Sequence, residues 1–260
     1  MNYFLQESIN LANHLNYLDE LYRVYPIVPN APRNLPQEKW DAVASAFGRR
    51  DNVGLLNALM DLEVFPIKDS YVAFLRSDKT ALERNPRTVG RICGELYRMG
   101  LEAVEKECSR PKESNRQIGP LFSRWLKSGA LGLPLLAYDG FDASGEDAVL
   151  IGSDQELKRF AETRLGYSHP KGLDFVARVN GRYVIGEAKF LSDFGGHQNA
   201  QLKDALATLA ADADAVKVAI LDGVCYLPRK AEMCNIICSE KNRDKNIMSA
   251  LVLNSFIHSL

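Results

Sequence analysis

Two β-rich runs joined by Asn180-Gly181 constrain this chain more than any other feature. LDFVARV (173–179) precedes the pair and RYVIGEAKF (182–190) follows it. A two-residue type I′ turn needs positive φ at both central positions, and Asn-Gly meets that need at least cost. The spacing therefore predicts a tight β-hairpin. The turn folds the end of the second strand back beside the start of the first, so Asp174 falls opposite a residue near Glu187. Side chains alternate along a strand, so Glu187 and Lys189 share a face and Ala188 points away. Two carboxylates and an ammonium then meet at one sheet edge.

The segments around the hairpin read as alternating strands and helices. LPLLAYDGF (133–141), DAVLIG (147–152) and VKVAILDG (216–223) have strand character, the last as a buried strand with VCYLP pairing beside it. SDQELKRFAETRLG (153–166) is a helix with a capping-box start from Ser153 to Glu156. AQLKDALATLAA (200–211) is a helix with Leu202, Ala205, Leu206 and Leu209 inward, and an apolar helix closes the chain over 245–258. The second half is thus α/β, a mixed sheet flanked by helices. The first half is largely helical: 3–24, then 37–47, 51–62, 68–76 and 87–108, with Val89, Ile92, Cys93, Leu96 and Met99 on one face of the last. The stretch 25–36 holds four prolines and is a loop. A boundary near SRPKESN divides a helical region, 1–110, from an α/β core, 111–260.

The chain has 260 residues and a formal net charge of −1. Proteins that bind nucleic acid without specificity are usually basic overall, so any positive surface here has to be local. No basic run followed by an apolar run opens the sequence, and the longest apolar stretches are far too short to span a bilayer, which excludes a membrane partner. Five cysteines at scattered spacing, without a CxxC pair or a nearby histidine, read as buried reduced thiols rather than a disulfide framework or a zinc site. The expected compartment is cytoplasmic.

A lone E-x-K on a strand usually marks an exposed face. Here the strand body is apolar (Tyr183, Val184, Ile185), an aspartate opens the partner strand after SHPKG, and an amphipathic helix and a buried strand follow in order. Carboxylates and a lysine clustered where apolar strands leave a core are costly without a task. Phosphodiester hydrolysis supplies one. A hard divalent ion takes one or two carboxylates plus water and phosphate oxygens, and a bound ion polarises the phosphoryl oxygen and lowers the pKa of a bound water. A lysine beside it orients or helps deprotonate the attacking water and offsets developing charge.

With HPKGLDF, thirteen residues from Asp174 to Glu187, and GEAKF, the hairpin resembles the motif of PD-(D/E)xK nucleases, and the order strand, strand, helix, strand is similar to that superfamily's common core. Within it the chain resembles a type II restriction endonuclease, a single chain of the usual size with no helicase or methyltransferase segment. The motif covers about 170–222. Leu173 stands where the motif name has proline, and Pro170 lies four residues before the aspartate. The resemblance implies a restriction-endonuclease-like core in which Asp174 and Glu187 ligate Mg²⁺, with Mn²⁺ as a substitute and the Ala188 carbonyl as third ligand, and in which Lys189 serves the attacking water. It also suggests an additional carboxylate from an upstream helix, for which Glu95 and Glu162 are candidates. The helical region would serve DNA recognition or dimerisation.

Two segments are candidates for holding double-stranded DNA. SRPKESNRQIGPLFSRWLK (109–127) sets Arg110, Lys112, Arg116, Arg124 and Lys127 against Glu113 alone, with Asn115 and Gln117 suited to adenine edges. LSDFGGHQNAQ (191–201) follows the motif strand and offers His197, Gln198, Asn199 and Gln201. The lysines and arginines of LPRK and EKNRDKN read as solvated surface, and the acidic stretch from Asp139 to Glu156 is expected to point away from DNA. The leading expectation is a site-specific endodeoxyribonuclease that hydrolyses both strands and leaves 5′-phosphates. One site per chain implies a homodimer on a two-fold symmetric target, with a cognate DNA methyltransferase encoded separately. A repair or structure-selective nuclease and a non-catalytic DNA-binding protein of the same fold are the alternatives.

Overall fold

The computed structural model describes residues 1–14, 16–26, 32–111, 114–228 and 232–260, and for 114–117 the backbone alone. Two compact units are present: Met1–Ile27 with Ser114–Leu260, and Val28–Glu113. The chain opens with α1 (Tyr3–His14) and α2 (Tyr17–Val24), where the sequence periodicity runs on as one helix. Both belong with the sheet and not with the helices that follow them.

The unit Val28–Glu113 is helical: α3 (Gln37–Gly48), α4 (Asn52–Met60), α5 (Val72–Ser77), α6 (Ala81–Arg84), α7 (Pro86–Met99) and α8 (Leu101–Cys108). Asp51 caps α4, its side chain accepting from the Gly54 N–H at 2.9 Å. The expected long helix over 87–108 breaks at Gly100, whose φ of 82° no helix accommodates. Val89, Ile92, Cys93 and Leu96 are buried as their spacing requires and pack with Leu55, Leu59, Leu75 and Leu82.

The other unit is built on a six-stranded mixed sheet: β1 (Leu135–Leu136), β2 (Ala148–Leu150), β3 (Phe175–Val179), β4 (Arg182–Leu191), β5 (Val216–Gly223) and β6 (Ile247–Met248). Spatial order equals sequence order. β2, β3 and β4 are antiparallel neighbours, whereas β1 on β2, β5 on β4 and β6 on β5 run parallel. The hairpin forms on Asn180 (φ 49°) and Gly181 (φ 74°), with rungs from Val179–Arg182 to Phe175–Gly186. The remaining helices are α9 (Ser114–Lys127), α10 (Tyr138–Ala143), α11 (Asp154–Leu165), α12 (Gly196–Thr208), α13 (Glu232–Ile237) and α14 (Ala250–Ile257). The Ser153–Glu156 capping box of α11 is present in full.

Alternation sorts the hairpin into two faces. Phe175, Ala177, Val179 and Val184 pack with Ile118, Leu121 and Phe122 of α9 and with Leu253 and Phe256 of α14. Val176 and Ile185 pack on the opposite face with Phe141 of α10 and Leu157, Phe160 and Leu165 of α11. Asp174, Glu187 and Lys189 share the parity of this second face, and α12 lies against β4 and β5. Arg178 is buried there as well, its guanidinium donating to the carbonyls of Glu146 (2.8 Å) and Phe141 (3.0 Å) and lying over the Phe141 ring. It fixes the α10–β2 connection to the hairpin.

Three local expectations give way to tertiary contacts. Within 133–141 only Leu135–Leu136 is strand, and Tyr138–Ala143 turns helical to place Phe141 in the core. VCYLP does not pair beside β5: Val224–Tyr226 is a 3₁₀ turn. The partner of β5 is Ile247–Met248, from the segment read as the start of the last helix, which begins instead at Ala250 after the Ser249 cap.

Candidate active site

Asp174 stands one residue before β3, its N–H donating to the Gly186 carbonyl at 3.0 Å. Continuing the register beyond Phe175–Gly186 sets it opposite Glu187. Its Oδ2 accepts from the Ala188 N–H at 2.8 Å and lies 3.8 Å from Lys189 Nζ. Lys189 Nζ in turn is 2.7 Å from Glu187 Oε1, and Glu187 Oε2 accepts from Thr208 Oγ1 at 2.8 Å. The three charges inferred from the hairpin are therefore one contiguous cluster. Glu187 is buried, whereas the Asp174 and Lys189 side chains are 24% and 25% exposed, so the cluster opens to solvent on one side.

Burial pushes the Asp174 carboxyl above the usual aspartate range. The Lys189 ammonium and the Ala188 N–H pull it back, and Glu187 and Asp154 add to the rise. Burial works against the Lys189 charge too, but Asp174 and Glu187 outweigh it and hold the ammonium above the ordinary lysine value.

The position of β4 depends on Gly186. A Cβ there would sit 2.9 Å from the Val218 carbonyl oxygen and 3.2 Å from Val218 Cγ1, so β5 approaches as only glycine allows. Gly186→Ala is expected to lower stability by about 2 kcal/mol, several degrees in a thermal melt, and to reduce activity by displacing Glu187. A variant that melts with the wild type would contradict the close approach.

The donor set suits a hard divalent ion. Among the described residues no group of three or more His, Cys, Asp or Glu gathers as a complete metal cage. Two carboxylates with a single ammonium leave one negative charge in excess. The Ala188 carbonyl points to the same side of β4 as the N–H that meets Asp174, because both groups of one strand residue face one neighbour. One or two carboxylates with water and substrate oxygens completing the shell is the mode of Mg²⁺ rather than of structural zinc.

Asp174 also lines a cleft of about 540 Å³ between α9 and the start of α11, with Ser123, Lys127, Ser153 and Asp154 among its walls. Arg124 of α9 is exposed. Lys112 lies outside the described residues, and the side chains of Asn115, Arg116 and Gln117 outside the described atoms. In the segment after β4, His197 is exposed and Gln201 Nε2 donates to its ring Nε2 at 3.0 Å. Asn199 Nδ2 reaches Glu232 Oε2 at 3.4 Å. Gln198 departs from the expectation of a solvent-facing amide: it is buried, bonded to Ser192 Oγ at 3.3 Å, because its helix position points toward β4. Glu162 is exposed and paired with Lys158 at 3.4 Å, and Glu95 lies on α7 in the other unit, near Arg91.

Sequence reasoning passed over Thr208, Asp204 and Asp154. Asp204 and Thr208 stand four apart on α12, hence on one face, and that face meets the cluster: Thr208 bonds Glu187 and Asp204 bears on Lys189. Both could have been flagged as polar residues interrupting the inward stripe of Leu202, Ala205 and Leu209. Asp154 belongs to the acidic stretch expected to face away, yet it shares the cleft with Asp174.

Paired carboxylates and a lysine on adjacent strands, opening onto a cleft, define the class of site that metal-assisted hydrolases use. A family model described as Tsp45I type II restriction enzyme matches residues 2–260, nearly the whole chain. The chain belongs to the Tsp45I type II restriction enzyme family and is accordingly a site-specific endonuclease acting on DNA. No curated protein matches it, and no solved structure does. No helix among the described residues is long and apolar enough to cross a membrane.

Proposed function

We propose that the chain cleaves both strands of duplex DNA with Mg²⁺ at a site formed by Asp174, Glu187 and Lys189, leaving 5′-phosphates, on a restriction-endonuclease-like core. The observation behind this is the unbroken chain of contacts from the Ala188 N–H through Asp174, Lys189 and Glu187 to Thr208, open on one side. Asp174 and Glu187 would hold the ion, with the Ala188 carbonyl as a further ligand. A bound divalent ion supplies Lewis-acid polarisation of the phosphate and a water of lowered pKa. Lys189, kept charged by its two carboxylates, orients the attacking water and donates to the phosphoryl oxygen where negative charge develops. Glu187, the most enclosed of the three, sets the position of Lys189.

DNA contacts are assigned to Lys112, Asn115, Arg116, Gln117, Arg124 and Lys127 on and before α9, and to His197, Asn199 and Gln201 at the start of α12, with Gln198 bracing the turn from within. Lys127 lining the same cleft as Asp174 supports the first set. The region 1–110 takes a role in recognition or dimerisation, and two strands to cut with one site per chain argue for a homodimer on a symmetric target. A separately encoded methyltransferase would protect the host sites, and Mn²⁺ would replace Mg²⁺.

Incubation with plasmid or phage DNA tests this directly. Discrete fragments are expected with Mg²⁺, none with EDTA, and the fragment ends should be ligatable without prior phosphorylation. Cutting that persists in EDTA would overturn the metal assignment, and a smear would overturn the assignment to duplex sites.

A further inference from the structure

We propose that Thr208 is a positioning residue for cleavage, fixing the Glu187 carboxylate in its ion-holding orientation from the far end of α12; this rests on the assignment of Glu187 as a ligand. Thr208 is fully buried and its Oγ1 donates to Glu187 Oε2 at 2.8 Å. A threonine inside a helix ordinarily bonds back to the carbonyl four residues earlier. This hydroxyl is drawn across to β4 instead. Lys189 holds Oε1 of the same carboxylate at 2.7 Å, so the two oxygens are pinned by different partners and the carboxylate plane cannot rotate without breaking one bond.

A second group converges on the spot. Tyr167 is buried, and Thr208 and Glu187 are among the groups that bear on its hydroxyl. With Tyr167 buried beside it, the Thr208 hydroxyl meets Glu187 away from bulk water. Without the threonine hydroxyl, Glu187 Oε2 loses the bond that fixes it, and the carboxylate keeps only its Lys189 contact on Oε1. Partners that orient a metal ligand typically contribute 10- to 100-fold to metal affinity or activity. Asp204, four residues earlier on the same helix face, bears on Lys189 and pairs with Lys171 at 3.0 Å, so α12 reaches both members of the E-x-K pair.

The test compares wild type, Thr208→Val, Thr208→Ser and Glu187→Ala by calorimetric titration with Ca²⁺ and by the Mg²⁺ dependence of plasmid cleavage. Thr208→Val is close in shape and lacks the donor. It should weaken Ca²⁺ binding about 10-fold or more and raise the Mg²⁺ concentration for half-maximal cleavage to match, with its melting temperature near that of the wild type. Thr208→Ser keeps the hydroxyl and should recover most of both losses. If the valine protein does not fold, Thr208→Cys, similar in volume and a weak donor, carries the same comparison. Wild-type Ca²⁺ and Mg²⁺ dependence in Thr208→Val, or no recovery in Thr208→Ser, overturns the inference. When Glu187→Ala is inactive in the same series, that failure falls on Thr208 alone; when Glu187→Ala still cuts, the ligand assignment is lost and this inference with it.

Discussion

Asp174→Asn should lose cleavage by about a thousand-fold or more while DNA binding and stability change little, because the substitution removes a ligand charge and keeps the hydrogen bond to the Ala188 N–H. The asparagine carbonyl can still accept from the Ala188 N–H, now made by Oδ2 at 2.8 Å. What disappears is the negative charge beside Lys189 Nζ. That charge is unfavourable for the fold, since burial and Glu187 both push the Asp174 carboxyl above its usual range. Neutralising it should leave the melting temperature equal to the wild type or slightly higher, a pattern common where a site is strained for function. Lys189→Met should be comparably inactive, but for a different reason: Glu187 then stays buried with only Thr208 as a partner, so this variant should also melt lower. Fragment assays, filter binding and thermal melts on the two proteins separate these effects. Near-normal cutting by either one would remove it from the site.

Much of this site was legible because it depends on local rules. Asn180-Gly181 dictates the turn, the turn dictates the register, and the register puts Asp174 opposite Glu187. Ser153 and Glu156 announce the start of α11 in the same local way. Features set by long-range contacts were not legible. Ile247 and Met248 read as the first turn of an apolar helix and become an edge strand only because β5 is there to pair with them. Phe141 turns its segment helical by reaching Phe160. The early helices α1 and α2 return to the sheet unit, which no periodicity within 3–24 reveals. Thr208 bonds Glu187 across 21 positions, and spacing rules do not extend across such a gap. Arg178 was equally hidden: a charged residue in a strand suggests an exposed face, and here its donors are spent on the Glu146 and Phe141 carbonyls.

Asp222→Ala should destabilise the sheet unit more than any other polar substitution in it, by about 4 kcal/mol, enough to leave the unit marginal near 37 °C. Asp222 is the residue before the last in β5, a strand whose other buried side chains are apolar, and it is fully buried. Its Oδ1 accepts from Tyr17 (3.1 Å) and Ser249 (2.5 Å), and its Oδ2 from Tyr25 (2.8 Å) and the Ala250 N–H (3.2 Å). The network runs on, with Tyr17 accepting from the Gly223 N–H and Ser8 from the Ser249 N–H. One carboxylate thereby joins α1, α2, β5 and α14, and alanine would strand four buried donors. Charge makes the same residue pH-sensitive. Burial raises its pKa to about 6 against the donors that pull it down, from an ordinary value of 3.8. Between those values the folded state holds more protons than the unfolded state, so the Asp222 contribution is greatest below pH 4 and declines as pH rises to 6, by about 3 kcal/mol in all. Asp222→Asn keeps the shape and cannot ionise, and its carbonyl can still accept from the Ala250 N–H while its amide group faces the Tyr17 and Ser249 hydroxyls, which can accept. The difference in stability between wild type and Asp222→Asn, measured by urea unfolding with Trp125 fluorescence, should therefore move in favour of the variant as pH rises from 4 to 7. A difference that stays constant over that range would mean that the buried carboxyl keeps its ordinary pKa, and a small effect of alanine would mean that water replaces it in the network.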